Sequence, residues 1–161
     1  MKPEKPLKFA VSMAACLAAG AIGSIFTASS VGGWYRTIEK PPFNPPSWLF
    51  APVWTTLYLM MGVSLFLAWS SRGRPAAEKD PALVVFAVQL GLNILWSAFF
   101  FGLENPGLAF LEILILWAAI LATIILFRKL SSLAAGLLLP YLLWVTFASV
   151  LNGSIFFLNL P

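Results

Sequence analysis

The sequence predicts an all-α membrane protein: a five-helix transmembrane bundle with a proline-rich lid loop between its first two helices. Three observations carry this. Of the 161 residues, 60% are hydrophobic and only 10% are charged, a balance outside the range of water-soluble domains. The apolar residues fall into five runs, each long enough to cross a hydrocarbon layer that needs about 20 residues of helix. Between the runs, Pro, Gly and charged residues are concentrated. No stretch is left for a separate soluble domain, so residues 1–161 are expected to form one membrane domain.

The first run, 8–30, follows Lys2, Lys5 and Lys8. A secretory signal begins in the same way, but no small-x-small cleavage site precedes a soluble portion and further spans follow. Ala15, Ala19 and Gly23 repeat four apart and allow a neighbouring backbone to approach closely. Cys16 is the one cysteine, which excludes an intrachain disulfide and reads as a packing residue. The second run, 49–70, carries Trp54 and Tyr58 four apart. In the third, 82–103, Gln89, Asn93, Trp96 and Phe100 share one helix face, while Ala87, Gly91 and Ala98 lie about 200° away. That small-residue face predicts a homodimer contact. The fourth run, 107–127, contains Glu112. A charge there is costly unless it reaches the headgroups from near the helix start, pairs inside the bundle or relays protons. A relay needs a row of titratable groups, which the spans lack. The fifth run, 133–158, offers Trp144, Ala148 and Asn152, again four apart.

The connection between the first two spans contains "EKPPFNPPSW", residues 39–48, with Pro41, Pro42, Pro45 and Pro46. Each proline fixes φ and keeps its predecessor out of the helical region, so the stretch is pre-shaped rather than slack. Trp34, Tyr35, Phe43 and Trp48 flank it, either as an interfacial aromatic belt or as part of a lid.

Charge sets the expected topology. Lys2, Lys5, Lys8, Arg72, Arg74, Lys79, Arg128 and Lys129 fall on one side of a five-span bundle, and only Arg36 and Lys40 on the other. The amino terminus is therefore expected in the cytoplasm, with the lid and the carboxyl terminus opposite. The cations sit at the ends of apolar runs rather than along a stripe, which excludes a nucleic-acid-binding face.

Polar and aromatic side chains in an apolar bundle face inward. The stripes of the second, third and fifth spans fit two readings: an aromatic pocket under the lid, or a core in which tryptophans fill space and amides bond across helices. The motifs "GGWYRTIEKPPFNPPSWLFAPVWTTLY", "QLGLNILWSAFFFG" and "LPYLLWVTFASVLNGSIFFLN" resemble, in order and over nearly the whole chain, the translocator protein family (TspO, or peripheral-type benzodiazepine receptor), in its bacterial form. The resemblance implies a five-helix bundle that binds porphyrins, haem and hydrophobic drugs. Carried over by position, the pocket would include Tyr35, Trp54, Tyr58, Asn93, Trp96, Ser97, Trp144, Ala148 and Asn152, with Phe100 from the periodic face. Some bacterial relatives degrade protoporphyrin in light, using tryptophans that match Trp54 and Trp144.

No cofactor is required on this reading; porphyrin or haem is the ligand. The chain has no His, so haem would rest on stacking and shape, with Tyr35 or Tyr58 as weak iron ligands and no metal site of its own. The family's sterol motif needs Tyr and a basic residue at the end of the fifth span, where "SVLNGSIFFLNLP" has neither. Val31, Tyr35 and Lys40 match that permissive pattern formally, in the first connection. A binder, sensor or carrier of tetrapyrroles is the leading expectation, a porphyrin-oxidising protein the alternative. A secondary transporter trails both, because no internal repeat is found.

Overall fold

The computed structural model describes residues 4–73 and 75–160; Lys2 and Arg74, both in the charge count, lie outside the described residues. Five helical segments are long and apolar enough to cross a membrane: Glu4–Val31, Ser47–Trp69, Ala76–Gly102, Pro106–Leu130 and Ser132–Leu158. Helix α1 (Glu4–Val31) is the first span, and a short α2 (Trp34–Thr37) follows it. A single 3-10 turn (Ser47–Leu49) leads into α3 (Phe50–Trp69). The third span is α4 (Ala76–Ser97), which ends in one π-helical turn (Ala98–Gly102). Helix α5 (Pro106–Leu130) is the fourth span, and α6 (Ser132–Leu137) with α7 (Leu139–Leu158) forms the fifth.

Local chemistry explains the boundaries. Asn105 caps α5 by accepting a hydrogen bond from the Leu108 amide at 3.0 Å, and Pro106 occupies the first helical position, where its missing N–H costs nothing. Ser131 caps α6 in the same way through the Ala134 amide. The break at Leu138 falls where Pro140 lacks the amide that would continue the ladder to Gly136. Helix α4 starts six residues before the expected 82, because Pro81 sits near its amino-terminal end and removes only the bond to Ala77. Glu104, at φ 51°, turns the chain sharply between α4 and α5.

Around the bundle the order is α1, α3, α6 with α7, α5, α4 and back to α1. Large apolar side chains such as Leu111, Ile115, Leu143 and Val150 point outward, as a hydrocarbon surrounding requires. Helix α1 turns Ser12, Cys16, Ala19 and Gly23 inward. Ala15, expected on that small-residue face, is exposed, because the buried stripe advances by seven residues per two turns rather than four per turn. The α1–α3 contact is close: a methyl group on Gly62 would stand 2.6 Å from Met13 Sδ and 3.2 Å from Met13 Cα.

Gly62→Ala should therefore destabilise the protein by about 1–3 kcal/mol through overpacking. Gly91→Ala, where a methyl meets nothing within 4 Å, should leave stability unchanged or raise it by up to about 1 kcal/mol. Thermal denaturation of both variants in detergent checks this, and equal midpoints would contradict close packing of α1 on α3.

Candidate ligand pocket

The sequence-predicted faces of α3, α4 and α7 meet beneath α2 and the proline-rich connection. They enclose a cavity of about 30 Å³, lined by Tyr35 from above, Phe50 and Trp54 from α3, Trp96, Phe100 and Phe101 from the third span, and Trp144, Phe147, Ala148, Leu151, Asn152 and Ile155 from α7. That is room for about one water molecule. The wall is aromatic almost throughout. Trp96 stacks on Phe100 with ring centres 5.4 Å apart, Trp144 meets Phe50 edge-on at 6.1 Å, and Phe147 lies 5.5 Å from Trp144.

The π-helical turn shapes this wall. Its i→i−5 bond from the Leu103 amide to the Ala98 carbonyl, 2.8 Å, widens the helix by one residue per turn. Consecutive residues Phe100 and Phe101 both reach the cavity, where their rings touch at 4.8 Å.

Two buried amides organise the polar atoms. Asn152 Oδ1 accepts from Trp96 Nε1 at 3.0 Å, and its Nδ2 donates to the Pro106 carbonyl at 2.8 Å. Asn93 accepts a short hydrogen bond from the Tyr58 hydroxyl and donates to the Tyr141 hydroxyl at 2.9 Å. Trp54 stacks on the Tyr58 ring at 5.6 Å and meets Tyr141 edge-on.

Sequence-predicted residues thus divide. Tyr35, Trp54, Trp96, Phe100, Trp144, Ala148 and Asn152 line one cavity. Tyr58 and Asn93 do not reach it: Tyr58 donates to Asn93, and Asn93 donates in turn to Tyr141 on α7, beside Trp54. Ser97 faces α1, with its Oγ 3.2 Å from where a methyl on Gly23 would stand. Phe50, Phe101, Phe147, Leu151 and Ile155 were not expected. On α7 the signal was available, since 144, 147, 148, 151, 152 and 155 form a single helical stripe.

The connection covers the cavity through specific contacts. Tyr35, 6% exposed, donates from its hydroxyl to Asn44 Oδ1 at 3.0 Å, and burial pushes its phenol pKa upward. Lys40 Nζ sits 4.9 Å over the Tyr35 ring and donates to the Ile38 carbonyl. Phe43 approaches Phe147. Asn159, at the end of α7, accepts from the Glu39 amide at 3.0 Å and donates to the Glu39 carbonyl at 2.9 Å, pairing as a strand would. Pro41 is buried and Pro45 half-buried, whereas Pro42, Pro46 and Trp48 are exposed. Trp48, 72% exposed, points away from the cavity because the 3-10 turn rotates it outward.

Ala87 and Gly91 are exposed and Ala98 is half-buried, so this face of α4 turns out of the bundle. Glu112 does not reach for the headgroups. Its carboxyl is buried, because residue 112 lies on the inward face of α5 with Ile113 and Leu116, and neither oxygen has a hydrogen-bond partner among the described residues. Gln89 is buried, and neither amide atom has a hydrogen-bond partner among the described residues. Among the described residues no three His, Cys, Asp or Glu side chains come together.

The model of the TspO/MBR family matches residues 12–158. The tryptophan-rich protein TspO of Archaeoglobus fulgidus is 46% identical over 153 residues, covering 95% of this chain and 97% of the relative. That of Chlorobaculum tepidum is 44% identical, covering 95% and 96%. The human translocator protein is 37% identical over 131 residues, covering 81% and 78%. With five apolar spans and a match through all of them, the chain is an integral, multi-pass membrane protein that belongs to the TspO/MBR family.

Proposed function

We propose that this protein binds porphyrins and related flat, hydrophobic molecules in the cavity between α3, α4 and α7, as a sensor or carrier. The observation behind this reading is the convergence of Trp54, Trp96 and Trp144 with four phenylalanines on one closed space. Aromatic rings stack on the faces of a tetrapyrrole, and Asn152 with the Trp96 indole supplies polar atoms at the edge. Pockets for drug-sized ligands hold about 300–1,000 Å³, so a cavity of about 30 Å³ admits such a molecule only if Tyr35 and the connection above it move. The proline-rich connection then acts as a lid.

No cofactor is needed for binding. With no His in the chain and Cys16 buried in α1, strong axial iron ligands of the usual kinds are not at the cavity. Metal-free protoporphyrin is expected to bind at least as tightly as haem. The eight-to-two charge asymmetry favours a cytoplasmic amino terminus, with the lid on the far side.

A second reading has an observation of its own: Trp54 and Trp144, which the resemblance links to light-dependent porphyrin breakdown, line the same cavity. Titration with protoporphyrin in the dark, then illumination in oxygen, separates the two. For a binder, Trp54→Phe and Trp144→Phe should each cost at most about tenfold in affinity, roughly 1.4 kcal/mol, and the wild-type protein should leave the pigment spectrum intact. Variants that bind normally but stop a bleaching seen in the wild type would establish degradation instead.

The lid yields a pair of contrasting expectations. Replacing Pro41, Pro42, Pro45 and Pro46 with Ala raises the entropy of the open loop, so affinity should fall, mainly through faster porphyrin release. The Asn159–Glu39 pair closes the connection over the empty cavity, and on this reading it re-forms over an occupied one. Asn159→Ala should therefore speed both entry and release, leaving Kd within about twofold, because a contact shared by both states shifts neither. Stopped-flow fluorescence measures both rates. A change in Kd from Asn159→Ala as large as that from the prolines would contradict the latch.

The outward face of Ala87, Gly91 and Ala98 supports a homodimer through α4, since small residues there let a second copy approach. Gly91→Leu should shift the detergent-purified species toward monomer in light-scattering measurements. An unchanged dimer would move the contact off this face.

A further inference from the structure

We propose that the end of the bundle opposite the lid holds a binding site for the phosphate headgroup of an anionic phospholipid, formed by Arg72, Arg128, Lys129 and Ser71. Three segments converge there: the loop after α3, the last turn of α5 and the start of α6. Between them lies an open cavity of about 480 Å³. No acidic residue lines it, and none of its three cations has an ion-pair partner among the described residues. Ser71 Oγ is buried without a hydrogen-bond partner among the described residues, whereas Ser131 is already committed to capping α6.

Those groups suit a phosphate. Guanidinium forks donate in pairs to phosphate oxygens, an ammonium adds a compact charge, and a free hydroxyl completes the set. A second cavity, about 260 Å³, adjoins the first, sharing Ser71 and Arg72 and adding Lys5, Lys8 and Lys79, with Glu4 its one acidic residue. Lys79 Nζ donates to the Ser71 carbonyl and ties the loop to α4. Lys8 lies over Trp69 at 5.4 Å.

Helix-end cations complement the helix dipole, which accounts for Arg128 and Lys129 on α5. Topology needs only a charge count. Neither explains why Arg72 and an unpartnered hydroxyl from another span share their cavity. The source of the phosphate follows from the remaining wall, Leu67, Leu130 and Leu133. Leu133 is 63% exposed, and Leu130 ends the fourth span. A free anion gains nothing from an apolar wall, whereas a lipid lays its chains along it while its headgroup meets the cations.

The full-length protein in phosphatidylcholine vesicles, doped with spin-labelled phosphatidylglycerol or spin-labelled phosphatidylcholine, provides the test. The motionally restricted fraction in electron spin resonance reads the preference. The wild type should favour phosphatidylglycerol by at least about fivefold. The combined variant Arg72→Gln, Arg128→Gln, Lys129→Gln should fall below about twofold with an unchanged thermal midpoint, each single variant should show a partial loss, and Arg36→Gln at the lid end should match the wild type. Inorganic phosphate should displace the labelled lipid no more than chloride at equal ionic strength. A wild type without preference, a triple variant that keeps it, or a loss with Arg36→Gln equal to that of the triple variant would overturn the site. Displacement by phosphate beyond chloride would overturn the lipid assignment in favour of a free anion.

Discussion

Inside a hydrocarbon layer a polar group has no water to turn to, and the arrangement of this bundle depends on how it pairs the few it carries. Two asparagines do most of this pairing. Asn93 joins α4 to α3 and α7 through the Tyr58 and Tyr141 hydroxyls. Asn152 joins α7 to α4 and α5 through the Trp96 indole and the Pro106 carbonyl. Hydrogen bonds of this kind in membranes contribute about 0.6 kcal/mol on average, so their main effect is to fix the rotation and register of four spans. Once those are fixed, the tryptophans of three spans have no choice but to face one another. Helix α1 is held differently, by close approach at Gly20, Gly23 and Gly62, and contributes no side chain to the cavity wall.

Gln89 and Glu112 stand outside this pairing. Both are buried, and the described residues offer neither of them a partner. Gln89 lies one turn of α4 before Asn93, and Glu112 on the inward face of α5.

The two ends of the bundle carry opposite chemistry. At one end the chain is closed by aromatic contacts, a buried tyrosine and a side chain pairing with backbone as a strand would. At the other, cations from the start of α1, the loop after α3, the first turn of α4 and the end of α5 surround open, partly apolar cavities. The closed end is sealed by the same residues that line the cavity: Tyr35 both roofs the space and holds the loop through Asn44. One phenol thus serves both the wall of the cavity and the hold on the loop.

Helical periodicity alone determines five spans and which faces of α3, α4 and α7 turn inward. A span must satisfy its backbone within itself and hide its polar side chains from lipid, so pattern and environment have a single solution. The α7 stripe from Trp144 to Asn152 was legible for that reason, and so were Trp54, Trp96 and Phe100. What depends on neighbours was not legible. Whether Tyr58 and Asn93 line a cavity or bond beside it is set by the distance to Tyr141 on another helix. Ser97 is claimed by the gap that Gly23 leaves on α1. Phe101 reaches the cavity from within a π-helical turn, a local rewinding that no apolar pattern announces. Asn44 and Asn159 look in sequence like ordinary turn and helix-end residues. Their roles follow from the tertiary fold, which brings residues 39 and 159 within 3.0 Å, a contact across 120 positions that only packing of the whole bundle can create.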